Sequence, residues 1–391
     1  MKRIIFTLLV VFSASTIYAQ LNGNGFYRLQ NKNTGRNVTI INDKIHLDNK
    51  QQVIDALKST TSVDVYALET KTETMSDPAS IVFLENATGK EYNIKGQGMY
   101  TKALTAGRTL KVYQTGNYYE LYATEEGFTV YLKDNNFAGS SKAGYCTVAT
   151  NEKDGNVLWS INPINDKNYL GIDPEVTVGN KYYTTFYAGY AIQLSSGMKA
   201  YYVREVNGKA AELVEIGSDI VPEETPVIIE CSSNTPASNK VTPLVSGGTK
   251  LNDNQLKGVY FSYVSLNGRR TAEDTSNKYY TKLKNAIENK STMRILGVVD
   301  GKLSLVKATE ANLYMKKYLP ANKAYIEVKS SADSNLTLLA GDAYKEATGI
   351  NEILLNEESQ DVYNLKGQKV PSTDNMPKGI YIINGKKVTR N

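Results

Sequence analysis

Histidine is almost missing from this chain. His46 is the only one in 391 residues, alongside two cysteines, Cys146 and Cys231, and a single tryptophan, Trp159. A Ser-His-Asp triad would have to be built around His46. That residue sits in Lys44-Ile45-His46-Leu47-Asp48, which alternates like a strand and turns His46 outward, and no Gly-x-Ser-x-Gly nucleophile elbow occurs. Zinc fails on the same count, because one histidine and two distant cysteines cannot supply three ligands without carboxylates. The two cysteines lie far apart across a domain boundary and read as buried free thiols, even where a disulfide is permitted. Adjacent carboxylates occur at Glu125-Glu126, Glu223-Glu224 and Glu357-Glu358, but neighbours on a strand point to opposite faces, so none forms a glycosidase pair. Gly247-Gly248-Thr249-Lys250 and Lys366-Gly367 lack P-loop spacing, and Asn252-Asp253-Asn254 lacks the glycine and distal glutamate of a calcium loop. No cofactor, no metal and no catalytic residue is expected.

Long apolar runs are also scarce. The longest, Ile4 to Phe12, follows the positive pair Lys2-Arg3 and softens through Ser13 toward Ala19. This is the pattern of a signal peptide over residues 1–19, cut between Ala19 and Gln20. It is too short for a membrane span, and no later stretch comes near one. The expected product is exported to the periplasm, cell surface or medium. Losing Lys2 and Arg3 takes the formal charge from +5 to +3, and the remaining basic residues are dispersed, so nucleic acid is not an expected partner. Lys386, Lys387 and Arg390 read as a solvated tail.

Abundance lies in tyrosine, with 28. Tyrosine suits half-buried sheet surfaces and offers amphipathic contact area to ligands. Short apolar runs of period two, bounded by Gly, Asn and Asp, recur along the chain and predict a mainly β protein. Residues 20–165 hold a weak threefold repeat of strand, turn and strand. Phe26 to Asn31 leads to Gly35, Ile81 to Asn86 leads to Gly89, and Tyr119 to Tyr122 leads to Gly127. Each turn glycine suits a positive φ. Residues 48–59 carry an amphipathic helical pattern inserted in the first repeat, and Val157 to Pro163 closes the set with Trp159. Residues 166–340 contain strand-sized runs with prolines at their starts, as in Pro226-Val227-Ile228-Ile229-Glu230, which predicts a β-sandwich. Within it, residues 274–289 form the one helical candidate. Residues 341–349 read as a polar linker, and residues 350–391 as a short unit of two β-hairpins turning at Lys366-Gly367 and Asn384-Gly385.

Three resemblances attach to these stretches. The repeats, opened by "YRLQNKNTGR" and closed by the Trp159 strand, resemble a ricin-B-like β-trefoil, although the chain has no Gln-x-Trp motif and the lectin site cannot be placed on its residues. The order "YYTTFYAGYAIQLSSGMKAYYV", "VPEETPVIIE" and "LPANKAYIEV" resembles a module of exported Bacteroidetes proteins. The end, with "VYNLKGQKV" and "KGIYIINGKKV", resembles the C-terminal sorting domain of the type IX secretion system, in a shorter form than is common there. These resemblances imply a protein handled by export and sorting machinery.

Aromatic residues are the best material for a binding site. Tyr113, Tyr118, Tyr119, Tyr122 and Tyr131 crowd the third repeat, and Tyr182, Tyr183, Phe186, Tyr187 and Tyr190 crowd the start of the middle domain. Sugars lay their C–H faces on such rings. The function expected is that of a non-enzymatic exported binding or adhesion protein, with a glycan or other host or bacterial surface ligand as partner. The alternatives are a secreted hydrolase whose carboxylates meet only in three dimensions, and a protease inhibitor on a β-trefoil.

Overall fold

A computed structural model describes residues 21, 24–41, 62–96, 99–100, 110–125, 128–136, 139–150, 155–261, 286–330, 335–349, 351–352, 362–370, 376–383 and 386–390. The signal cleavage pair Ala19 and Gln20, His46 and the amphipathic stretch 48–59 lie outside the described residues. So does most of the helical candidate 274–289, of which Ala286 and Glu288 form isolated β-bridges.

The chain is mainly β. Its N-terminal sheet has eleven strands: β1 (Gly25–Asn31), β2 (Asn37–Ile40), β3 (Ser62–Lys71), β4 (Val82–Thr88), β5 (Glu91–Gly96), β6 (Met99–Tyr100), β7 (Leu110–Thr115), β8 (Tyr118–Glu125), β9 (Phe128–Asn136), β10 (Ala143–Thr150) and β11 (Leu158–Pro163). Six of them close a ring, because β1 pairs β4, β4 pairs β5, β5 pairs β7, β7 pairs β8, β8 pairs β11 and β11 returns to β1. The pairs β2–β3 and β9–β10 attach to this barrel and join each other through β3–β10.

Period two explains why the ring closes. In β8, Tyr119 and Leu121 point inward, and they meet Leu29, Leu84, Ile94 and Trp159 in one core. Trp159 is fully buried and its indole N–H donates to the Leu132 carbonyl at 2.9 Å, so its polar edge is satisfied inside the core. Each aliphatic side chain fully buried here stabilises the fold by roughly 1.5–3 kcal/mol. Gly35 and Gly89 take φ of 67° and 56°, as their turns require. A buried ion pair pins the first turn to the barrel: Arg36 Nη2 lies 2.9 Å from Asp134 Oδ1, and Thr34 and Thr70 hydroxyls donate to the same carboxylate at 2.5 and 2.6 Å.

The next unit stacks a four-stranded sheet against a ten-stranded one. The strand Val227–Cys231 explains the layering, since its run Val227-Ile228-Ile229 is apolar and buried without alternation. Val227 and Ile229 face the small sheet through Ile192, Leu194 and Val241, while Ile228 faces the other half of the large sheet through Leu305, Ala324 and Ile326. A strand covered on both faces reads as a continuous hydrophobic run. Cys231 belongs to this interior and Cys146 to the barrel core; both are free thiols. Burial pushes the Cys231 thiol up to about 12, which leaves it inert.

Barrel and middle unit share apolar surface. Ile81 is buried in the middle unit's core and Phe261 in the barrel's. Tyr190 packs on the Phe26 ring at 5.6 Å and its hydroxyl donates to the Pro78 carbonyl at 3.1 Å.

The stretch 341–349, expected to be a polar linker, is instead mostly a helix, α1 (Gly341–Thr348), ending on Gly349. Asp342, Lys345, Glu346 and Thr348 look like linker residues by polarity, yet they surround the buried Tyr344, which anchors the helix. Beyond it, five short strands form a separate sheet over Val362, Met376, Tyr381, Ile383 and Val388. The strands Val362–Asn364 and Lys369–Val370 pair around Gly367, whose φ is 77°. Among the described residues no helix is long and apolar enough to cross a membrane.

Candidate binding face

The first tyrosine cluster falls on β7, β8 and β9. These strands run as a meander, and the turn between β7 and β8 is two residues, Gly116-Asn117, with Gly116 at φ 62°. Their inward positions are Val112, Tyr119, Leu121, Val130 and Leu132, all buried. Their outward positions are Tyr113, Tyr118, Glu120, Tyr122 and Tyr131. The register sets Tyr113 opposite Glu120, Thr115 opposite Tyr118 and Tyr122 opposite Tyr131. Tyr122 and Tyr131 bring their rings to 5.8 Å, inside the range in which aromatic pairs attract.

Four of the five tyrosines therefore share one outer face, and the fifth does not. Tyr119 is 8% exposed and belongs to the barrel core, where burial raises its hydroxyl pKa. Tyr113 is 50% exposed and is the most open ring of the set. Cations stand over two of the rings. Lys32 Nζ lies 4.8 Å from the Tyr118 centroid, and Lys90 Nζ lies 5.5 Å from that of Tyr113. Each such contact is worth about 0.5–1 kcal/mol at an exposed site, and it holds the ring in place. With Glu120 between the rings as an acceptor, the face offers apolar π surface beside a hydrogen-bonding group. That combination suits the C–H face and hydroxyls of a sugar.

The second cluster is mostly interior. Tyr183, Phe186 and Tyr190 are 8%, 4% and 7% exposed, and Tyr187 stacks on Tyr260 at 4.3 Å. Tyr183 and Tyr201 both donate to Glu230 Oε2 at 3.2 Å, and Lys181 lies 2.9 Å from Oε1. Partial burial works against the Glu230 charge. The hydrogen bond and charge of Lys181, with the two hydroxyls, outweigh it and hold the carboxyl below its ordinary range. Burial and the same carboxylate push the Tyr183 hydroxyl up to about 12. Near neutral pH Glu230 therefore stays ionised while Tyr183 and Tyr201 keep their protons, which suits an anchor and not a proton shuttle.

Glu223 and Glu224 are exposed on a turn where Glu224 has φ 54°. Asn254 is spent on local bonds, donating to the Pro226 carbonyl at 2.7 Å and accepting from the Leu256 N–H at 3.0 Å. Among the described residues no group of three or more His, Cys, Asp or Glu side chains is placed to hold a metal. No protein-family model matches the chain, and no curated protein matches it.

Proposed function

We propose that the chain is an exported, non-enzymatic binding or adhesion protein of the bacterial envelope or cell exterior, taking a glycan on the outer face of β7, β8 and β9. The observation that carries this reading is the alignment of Tyr113, Tyr118, Tyr122 and Tyr131 on one outward face, with Glu120 among them. Tyr113 stands half exposed on this face, and Tyr118, Tyr122 and Tyr131 each keep part of their ring surface open to water. The barrel is read as a β-trefoil, supported by its ring of six paired strands and the attached pairs β2–β3 and β9–β10. The middle unit is read as a β-sandwich, supported by the two cores on either side of Val227–Cys231. The terminal sheet, which carries the VYNLKGQKV and KGIYIINGKKV strands, is read as a Bacteroidetes type IX sorting segment preceded in the precursor by a signal peptide.

The test is a glycan array probed with the full chain and with a Tyr113→Ala, Tyr122→Ala double variant. Binding by the first and loss in the second is expected. Binding unchanged by the two substitutions, or none at about 1 mM sugar, a weak-affinity ceiling, would overturn the assignment.

A further inference from the structure

We infer that a second groove, at the foot of the barrel where the chain leaves β11, is a subsite for a saccharide that carries a carboxylate. It shares no residue with the tyrosine face and stands on its own geometry. The groove holds about 490 Å³, within the range of small-ligand sites. Five side-chain amides line it: Gln30, Asn37, Asn162, Asn165 and Asn168. Thr72 and Thr74 add hydroxyls, and Met75 and Pro163 add apolar surface. An amide carries a donor and an acceptor on one group, and a hydroxyl is both at once. Asn37 donates to Thr74 Oγ1 at 2.9 Å, Asn162 to Gln30 Oε1 at 3.4 Å and Gln30 to the Gly35 carbonyl at 3.0 Å. The N–H groups and lone pairs left over after these bonds are what sugar hydroxyls can use, while the apolar wall takes the C–H face of the ring.

The groove is built from beneath by a buried charge. Arg28 is 1% exposed, and its guanidinium donates to Ser80 Oγ at 2.9 Å, to Asn168 Oδ1 at 2.6 Å and to the Thr74 carbonyl at 3.0 Å. Asn168 in turn donates to the Asn162 and Pro163 carbonyls at 3.0 and 2.9 Å. The lining is thus tied to both sides of the groove before any ligand arrives, which lowers the ordering cost of binding. Asn165 Oδ1 accepts from the Lys167 and Asn168 N–H groups at 2.9 and 3.0 Å, closing a tight loop at the rim.

Charge sets the ligand class. No carboxylate lines the groove, and Lys167 lines it at an exposed position. None of Arg28's hydrogen-bond partners is a carboxylate. Asp77, whose field reaches the guanidinium, is itself paired with Lys71 at 2.5 Å. Asp166 sits in the same loop but does not line the groove. The surplus is positive, held behind a neutral hydrogen-bonding surface, so a uronate-type sugar fits better than a neutral one.

The test is calorimetric titration of the full chain at low salt with trigalacturonate and with maltotriose, repeated on Lys167→Ala, Asn165→Ala and Tyr113→Ala. Lys167 and Asn165 are exposed, so both variants should fold. Trigalacturonate is expected to bind, to lose about tenfold in affinity in Lys167→Ala, as for a hydrogen bond to a charged group, and to weaken in Asn165→Ala while Tyr113→Ala leaves it unchanged. Maltotriose is expected to bind more weakly. Four results would each overturn the assignment: no heat up to about 10 mM trigalacturonate, binding indifferent to Lys167 and Asn165, maltotriose bound as tightly, or a loss confined to Tyr113→Ala.

Discussion

Two stretches of the chain each carry five clustered aromatic rings and end in opposite places. In the first, around β8, alternation divides the rings, and Tyr113 is 50% exposed while Tyr119 is 8% exposed. In the second, Tyr183, Phe186 and Tyr190 are all nearly sealed. Local patterning is similar in both. The difference is what covers the outer face. The outer face of β7–β8–β9 leaves Tyr113 half exposed and Tyr118, Tyr122 and Tyr131 partly so, whereas the second stretch lies where the barrel, the small sheet and the large sheet meet. Tyrosine content alone therefore does not decide whether a ring is exposed; what covers the layer does.

The largest expected effect comes from deleting a ring of the sealed cluster. Tyr190→Ala removes a buried aromatic side chain and its bond to the Pro78 carbonyl, and should cost about 3–5 kcal/mol. Tyr113→Ala should cost about 0.5–1 kcal/mol, the contact with Lys90 being the main loss. Urea unfolding of the two variants measures the contrast, and equal losses would erase it. Next comes Gly258→Ala. A Cβ there would stand 2.2 Å from the Tyr187 ring, so the stack with Tyr260 must move, at about 1–3 kcal/mol. An unchanged midpoint would mean that Tyr187 is as free as the outer rings.

A subtler contrast lies in pH. Tyr183 has a folded pKa raised from 10 to about 12, so the fold favours its protonated hydroxyl. The stability it contributes is complete below pH 10 and is lost as pH rises through about 12. The decline in stability over that window should be shallower in Tyr183→Phe than in the parent. Parallel curves would place Tyr183 outside the buried network.

Much of this was legible in the residues. The β class follows from period two, the Trp159 strand closes the barrel as its position suggests, and Gly35 and Gly89 mark turns. The helix at 341–348 was not legible, because one buried ring, Tyr344, decides it and polarity hides that. Nor was the split of the first cluster, since the strand that takes Tyr119 inward could have been registered the other way; only its pairing opposite Trp159 settles the face. The amide groove was invisible for a different reason. Arg28 and Asn168 are 140 positions apart, and no local pattern joins them.

The contrast between covered and uncovered rings can be read in a single experiment. The full chain labelled with 3-fluorotyrosine would be followed by fluorine NMR while a sugar that scores on the array is added. Resonances of Tyr113, Tyr122 and Tyr131 should move with the titration, and those of Tyr183 and Tyr190 should stay fixed. Movement of the sealed pair with the outer three silent would contradict the assignment of β7–β8–β9 as the binding face.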